Sequence, residues 1–158
     1  PRLLVLDEPT TGVDAVSRSE FWTMLSKLRH HNITIIVSTP YMDEAVRCDR
    51  IALIQNGRIL SIDKPQSVKD GFSRKLFSVK GSEKYRLLIA LRQHGSILTA
   101  FPFGDSVHVT MAEERIEESL YKHLRKAGIT NVLIEETSAG IEDRFLELME
   151  KGESGKMK

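Results

Sequence analysis

Residues 3–14 read Leu-Leu-Val-Leu-Asp-Glu-Pro-Thr-Thr-Gly-Val-Asp. Leu3 to Leu6 are apolar without alternation, the pattern of a strand buried on both faces of a parallel sheet. Asp7 and Glu8 then emerge at the strand's carboxyl end, where ligand sites in open α/β sheets lie. A carboxylate pair placed there can hold a hydrated Mg²⁺ through one oxygen and orient or deprotonate a water with the other. Taken alone, the same hexapeptide also fits a turn-capping Asp7 and a solvated Glu8.

Outward from that stretch, Pro9 to Gly12 form a turn, and Asp14 can cap a helix to about His30, with Val16, Phe21, Leu25 and Leu28 near helical spacing. Ile33 to Val37 is a short β-branched strand, so strand, helix and strand form a unit with a parallel sheet. A loop at Ser38 to Tyr41 leads to a helix at Met42 to Cys48 carrying Asp43 and Glu44 in its first turn, then a strand at Ile51 to Gln55. Asn56-Gly57 joins it to a strand at Arg58 to Ile62 as a tight hairpin, because both residues accept positive φ.

Pro65 to Gly71 reads as a short helix closing the first region, with a boundary between about Asp70 and Leu76. Beyond it come a strand at Leu76 to Lys80, a helix at Ser82 to His94, strands at Ile97 to Phe101 and Val107 to Met111, a helix at Glu113 to Ala127 and a strand at Val132 to Glu135. That order is βαββαβ, a ferredoxin-like arrangement. Ile116, Leu120 and Leu124 recur at helical spacing ahead of a capping Gly128. A last helix, Ile141 to Glu150, carries Ile141, Phe145, Leu148 and Met149 as an apolar stripe, and 151–158 reads as a disordered tail. The organisation expected is 1–72, 73–150 and tail.

Composition narrows the function classes. With 41% hydrophobic residues the chain can bury a core, and 23 basic against 22 acidic residues leave no bulk attraction for nucleic acid. Cys48 stands alone, so no internal disulfide is possible and, with no second cysteine for a metal site, it reads as a small packing residue; no segment reaches the length of a membrane span. His94, His108 and His123 show no ligand spacing, and His108 simply occupies one face of an alternating strand. The chain opens at Pro1, two residues before a core strand, as expected of a piece whose upstream sequence is missing.

The stretch at 3–14 strongly resembles the Walker B motif and D-loop of ABC transporter nucleotide-binding domains. The Ser-Thr-Pro-Tyr-Met-Asp-Glu-Ala loop at 38–45, Cys-Asp-Arg-Ile at 48–51 and the Asn-Gly-Arg-Ile-Leu hairpin at 56–60 agree in order. Ordered matches of this kind discriminate far better than one short motif. The second region, with Gly-Ile-Glu-Asp-Arg-Phe-Leu-Glu-Leu at 140–148, resembles the C-terminal extension of drug-export ATPases in this superfamily. The fold implied is α/β: the distal part of a P-loop NTPase (ABC-type) parallel-sheet domain followed by a small α+β ferredoxin-like domain.

The resemblance implies that Asp7 helps hold the Mg²⁺ of Mg-ATP through water and that Glu8 is the catalytic, water-orienting carboxylate. It implies that Asp14 sits in the D-loop and communicates with a second nucleotide-binding domain. Thr10, Thr11 and Gly12 read better as turn formers than as ligands. Pro40 stands where most of the family carries a histidine that contacts the γ-phosphate. Proline donates no hydrogen bond, yet it favours an extended Thr39, so the loop can keep its shape without the contact. A tolerated variant is the preferred reading over a dead site.

No Gly-x-x-x-x-Gly-Lys-Ser/Thr loop and no Leu-Ser-Gly-Gly signature occurs in the chain. The backbone cradle for phosphates is therefore missing, and the chain alone is expected neither to bind ATP tightly nor to hydrolyse it. The expected intact protein is the ATP-hydrolysing subunit of an export transporter, cytoplasmic and peripheral at the inner face of the membrane. Its expected partners are a transmembrane permease and a second nucleotide-binding domain, with no nucleic acid. The alternatives are an ABC-type ATPase of DNA maintenance, for which heptads and a basic stripe are lacking, and a small-molecule-sensing or RNA-binding ferredoxin-like module.

Overall fold

The computed structural model describes residues 2–154, and the side chains of 2–151. The element order is β1 (Leu3–Asp7), α1 (Ala15–Arg29), β2 (Thr34–Ser38), α2 (Met42–Ala45), β3 (Ile51–Gln55), β4 (Arg58–Asp63) and α3 (Pro65–Asp70). There follow β5 (Leu76–Lys80), α4 (Lys84–Gln93), β6 (Ile97–Phe103), β7 (Ser106–Met111), α5 (Glu118–Lys126), β8 (Leu133–Thr137) and α6 (Ile141–Ser154). The chain separates into two compact units, Pro1–Ile51 and Ala52–Lys158. The division falls earlier than the sequence expectation because α6 contacts both β4 and α3, which gathers the hairpin into the second unit.

In the first unit β1 and β2 pair in parallel, Leu3 opposite Thr34 and Asp7 opposite Ser38. Asp14 caps α1 as its position foretold: Oδ1 accepts from the N–H groups of Val16 at 2.9 Å and Ser17 at 3.1 Å. Trp22 and Leu25 form the buried side of this helix. The expectation of a strand buried on both faces is not met, since Val5 is 63% and Ile36 55% exposed. Nothing in the described unit lies over those apolar side chains.

In the second unit β3 and β4 form a two-stranded sheet through a turn at which Asn56 has φ 49° and Gly57 φ 70°. The four remaining strands lie in the order β6-β7-β5-β8, with every neighbouring pair antiparallel. Phe77 and Val79 of β5, Ala100 of β6 and Val107, Val109 and Met111 of β7 face Leu87 and Leu91 of α4 and Leu120 and Leu124 of α5 in one apolar cluster. The alternation of β7 sends Ser106, His108 and Thr110 to the opposite face, and they are buried too.

Several boundaries move. α5 begins at Glu118 rather than Glu113, because the chain takes a left-handed φ of 50° at Glu114 before the helix can start. α2 stops at Ala45, short of Cys48. α6 runs to Ser154, four residues into the stretch expected as a disordered tail, whose remainder lies outside the described residues. No described helix is long and apolar enough to cross a membrane.

Candidate functional site

The paired register of β1 and β2 decides the site. With Asp7 opposite Ser38, the serine hydroxyl donates to Asp7 Oδ1, and the Glu8 N–H is shared between Ser38 Oγ at 2.9 Å and Ser38 O at 3.1 Å. Three polar groups at the ends of two adjacent parallel strands thus lock both carboxylate-bearing residues. Beyond the strand Glu8 adopts φ 42°, a conformation that costs a non-glycine residue about 1 kcal/mol or more and concentrates at functional positions. Its carboxylate accepts from Thr11 Oγ1 at 3.1 Å, and the Thr11 N–H donates to the Glu8 carbonyl at 3.1 Å. Thr11 therefore shapes the turn as expected and also aims the Glu8 side chain.

Both carboxylates are exposed. Ser38 engages only Oδ1 of Asp7, so Oδ2 is left to accept from water. Among the described residues no three acidic, histidine or cysteine side chains gather into a metal cluster. A single carboxylate with one free oxygen still fits Mg²⁺, which keeps several waters and takes the rest of its shell from phosphates.

A second knot holds the loop around Pro40. Glu44, on α2, is buried and accepts from Thr10 Oγ1 at 3.0 Å and Thr39 Oγ1 at 2.6 Å, both through Oε2. Arg18 Nε lies 3.8 Å from Oε1, and its guanidinium also stacks 5.1 Å from the Tyr41 ring centroid. Burial pushes the Glu44 carboxyl up, but the Thr39 and Thr10 hydroxyls, the Trp22 indole and the Arg18 charge together hold it below the ordinary glutamate value. Trp22 Nε1 and Glu44 Oε1 are the two buried side-chain polar atoms among the described residues that lack a partner within hydrogen-bond geometry. A donor and an acceptor left over near one another offset part of each other's desolvation cost.

Thr39 also accepts from the Tyr41 N–H at 3.1 Å, so its hydroxyl spans the exposed Pro40 on both sides. The loop is thereby shaped without any contribution from residue 40. Thr10 is more than a small turn former, being buried and committed to Glu44. Sequence reasoning placed Glu44 only in a helix first turn. The available signal was the polar pair Ser38-Thr39 next to a helix with an acidic start, but partners 34 positions apart are not visible as a local pattern.

Asp14 takes a local role: besides its two backbone partners, Oδ2 accepts from Ser17 Oγ at 2.7 Å, and Ser17 is the main cause of its lowered pKa. His30 and His31 lie at the end of α1, where His31 Nδ1 is 2.9 Å from the Lys27 carbonyl oxygen. They join no part of the carboxylate site.

No family model matches the chain. Among curated proteins it is 42% identical over 69 residues to the probable multidrug ABC transporter ATP-binding protein YbhF of Escherichia coli, covering 44% of this chain and 12% of that protein. It is 38% identical over 96 residues to the Nod factor export ATP-binding protein I of Neorhizobium galegae, covering 60% of this chain and 28% of the relative. A third match, the protein of the same name from Mesorhizobium japonicum, is 28% identical over 150 residues, covering 90% of this chain and 44% of the relative. The chain therefore spans less than half the length of each of these relatives. Over these stretches the chain is similar to the ATP-binding proteins of ABC transporters.

Proposed function

We propose that the chain is the distal part of the ATP-binding subunit of an ABC export transporter. The observation that carries this reading is the coupling of Asp7 and Glu8 to Ser38 across two parallel strands, which presents two exposed carboxylates at one sheet end. In the intact protein Asp7 would hold the Mg²⁺ of Mg-ATP through water, and Glu8, aimed by Thr11, would orient the water that attacks the γ-phosphate. Asp14 would stand at the contact with a second nucleotide-binding domain, and Pro40 at the switch position, in a loop whose shape comes from Thr39 and Glu44. Bound Mg²⁺ would supply charge neutralisation on the phosphates.

The uncovered apolar faces of β1 and β2 support a sheet completed by further polypeptide, one that brings the phosphate loop and signature. Without these elements the 158-residue chain neither binds ATP tightly nor turns it over. The intact subunit works at the cytoplasmic face of the membrane beside a transmembrane permease. The second unit is a ferredoxin-like accessory domain, a reading favoured by its element order and its strand order β6-β7-β5-β8.

The test is a longer polypeptide carrying both missing motifs. Glu8→Gln there should still bind Mg-ATP but lose hydrolysis by about 10²-fold or more, because the carboxylate is gone and the shape kept. Undiminished turnover would overturn the role of Glu8, and Mg-ATP hydrolysis by the purified 158-residue chain would overturn its dependence on the missing cradle.

A further inference from the structure

In the second unit, a cavity of about 410 Å³ lies where α6 meets strands β5, β6 and β7 on the face of the sheet turned away from α4 and α5. That volume falls within the range of small-molecule sites. Its wall is mostly apolar and is built by Phe72, Leu76, Leu98 and Phe101. Leu76 is buried and the two phenylalanines are half-buried, whereas Leu98 stays 48% exposed. Apolar surface is thus left accessible in a concave site.

The buried carboxylates of the wall are spent within the protein. Asp143 Oδ1 lies 2.7 Å from His108 Nδ1, and Asp143 Oδ2 accepts from the Gly140 N–H at 2.8 Å. Glu147 accepts from Arg144, from Ser73 and, at 2.8 Å, from Lys151. At the exposed rim Arg74 and Glu150 carry opposite signs, and charges placed there are screened by solvent. An ion entering the cavity would lose hydration and meet no uncommitted partner in the buried part of the wall. A neutral apolar body escapes that cost and gains from the burial of its surface.

One polar feature of the wall keeps a proton in hand. The hydroxyls of Thr99 and Thr110, which both line the cavity, share a hydrogen bond of 2.8 Å. Whichever of them donates, that bond uses one of the pair's two O–H protons, and the pair has no further side-chain hydrogen bond among the described residues. The second proton is free to meet an acceptor on a ligand. We propose that this cavity is a binding site for a small neutral molecule, its apolar body against Phe72, Leu76, Leu98 and Phe101 and a single carbonyl-type acceptor on the O–H left over by the Thr99 and Thr110 pair.

The 158-residue chain can be titrated with 1-acetylnaphthalene and, in parallel, with two ions of the same ring system, 1-naphthoate and 1-(1-naphthyl)ethylammonium, following side-chain NMR signals. The ketone should bind saturably and at least about tenfold tighter than either ion, shifting the methyl signals of Leu76, Leu98, Thr99 and Thr110 together. Leu98→Asp, at a site exposed enough to tolerate the change, should weaken the ketone about tenfold or more. In the double variant Thr99→Val/Thr110→Val the carbonyl carbon signal of the bound ketone should lie upfield of its position in the unmodified complex, because no hydroxyl polarises it. Binding of either ion as tight as that of the ketone, absence of saturation, shifts confined to other residues, unchanged affinity in Leu98→Asp, or an unmoved carbonyl signal in the double variant would each overturn the proposal.

Discussion

Thr10 and Glu44, 34 positions apart in the chain, are joined by a buried hydrogen bond of 3.0 Å. Because Glu44 Oε2 also accepts from Thr39, the turn that follows the Asp7-Glu8 pair and the loop that carries Pro40 hang on one oxygen atom. A single carboxylate thus sets the spacing of the two segments flanking the candidate site.

Glu44→Ala should destabilise the first unit by about 1–3 kcal/mol in urea unfolding, since it leaves the buried Thr10 hydroxyl, the half-buried Thr39 hydroxyl and the Arg18 charge without their acceptor. The pH dependence has a definite sign. The folded carboxyl titrates below its ordinary 4.5, so its contribution is fully present above that value and is lost as pH falls through the lower folded value. Glu44→Gln should flatten this acid limb while costing less stability at neutral pH than Glu44→Ala. An acid limb as steep in Glu44→Gln as in the unmodified chain would show that other carboxylates govern it.

In the second unit Glu147 behaves likewise. Burial raises its carboxyl, but Lys151, Ser73 and Arg144 outweigh burial and bring it down to about 2. Its stabilising contribution is therefore complete above the ordinary value of 4.5 and disappears as pH falls through about 2. The Lys151 side chain is half-exposed, so solvent screening trims the effect. Glu147→Gln should cost about 1–2 kcal/mol at pH 7 and little at pH 2, read from urea unfolding of the second unit.

The opening strand, the Asp14 cap, the Asn56-Gly57 hairpin and the alternation of β7 were legible in the sequence because each depends on neighbours a few residues away. What escaped depends on distant pairing. His108 reads as one more residue on an alternating strand until Asp143, 35 positions later, closes on its Nδ1. The same bond turns Asp143 of α6 inward, beside an apolar stripe of which Ile141 is buried and Phe145, Leu148 and Met149 are half-buried. The continuous apolar run of β1 correctly signals a parallel strand, yet its two buried faces presuppose layers that the described residues do not supply.

That mismatch gives a test of the incomplete sheet. Val5→Lys and Ile36→Lys replace side chains that are 63% and 55% exposed, so each should change the stability of this chain by no more than about 0.5 kcal/mol while raising its solubility. In a longer polypeptide that covers the strands, the same changes would bury a charge and should abolish folding or cost several kcal/mol. Equal tolerance in both contexts, measured by thermal unfolding, would show that nothing covers β1 and β2.

Pro40 offers the sharpest test of the site as a whole. Thr39 holds the loop through Glu44 and the Tyr41 N–H, so residue 40 can change without loss of loop shape, and an imidazole there would add the donor that proline lacks. In the longer polypeptide Pro40→His should raise ATP turnover, by several-fold to about a hundredfold, with little change in Mg-ATP affinity, because the added hydrogen bond acts on charge that develops during transfer. A Pro40→Ala control should leave turnover as it is, since neither side chain donates. Turnover unchanged by Pro40→His would remove residue 40 from the site, and a rise matched by Pro40→Ala would trace the effect to loop freedom in place of a new donor.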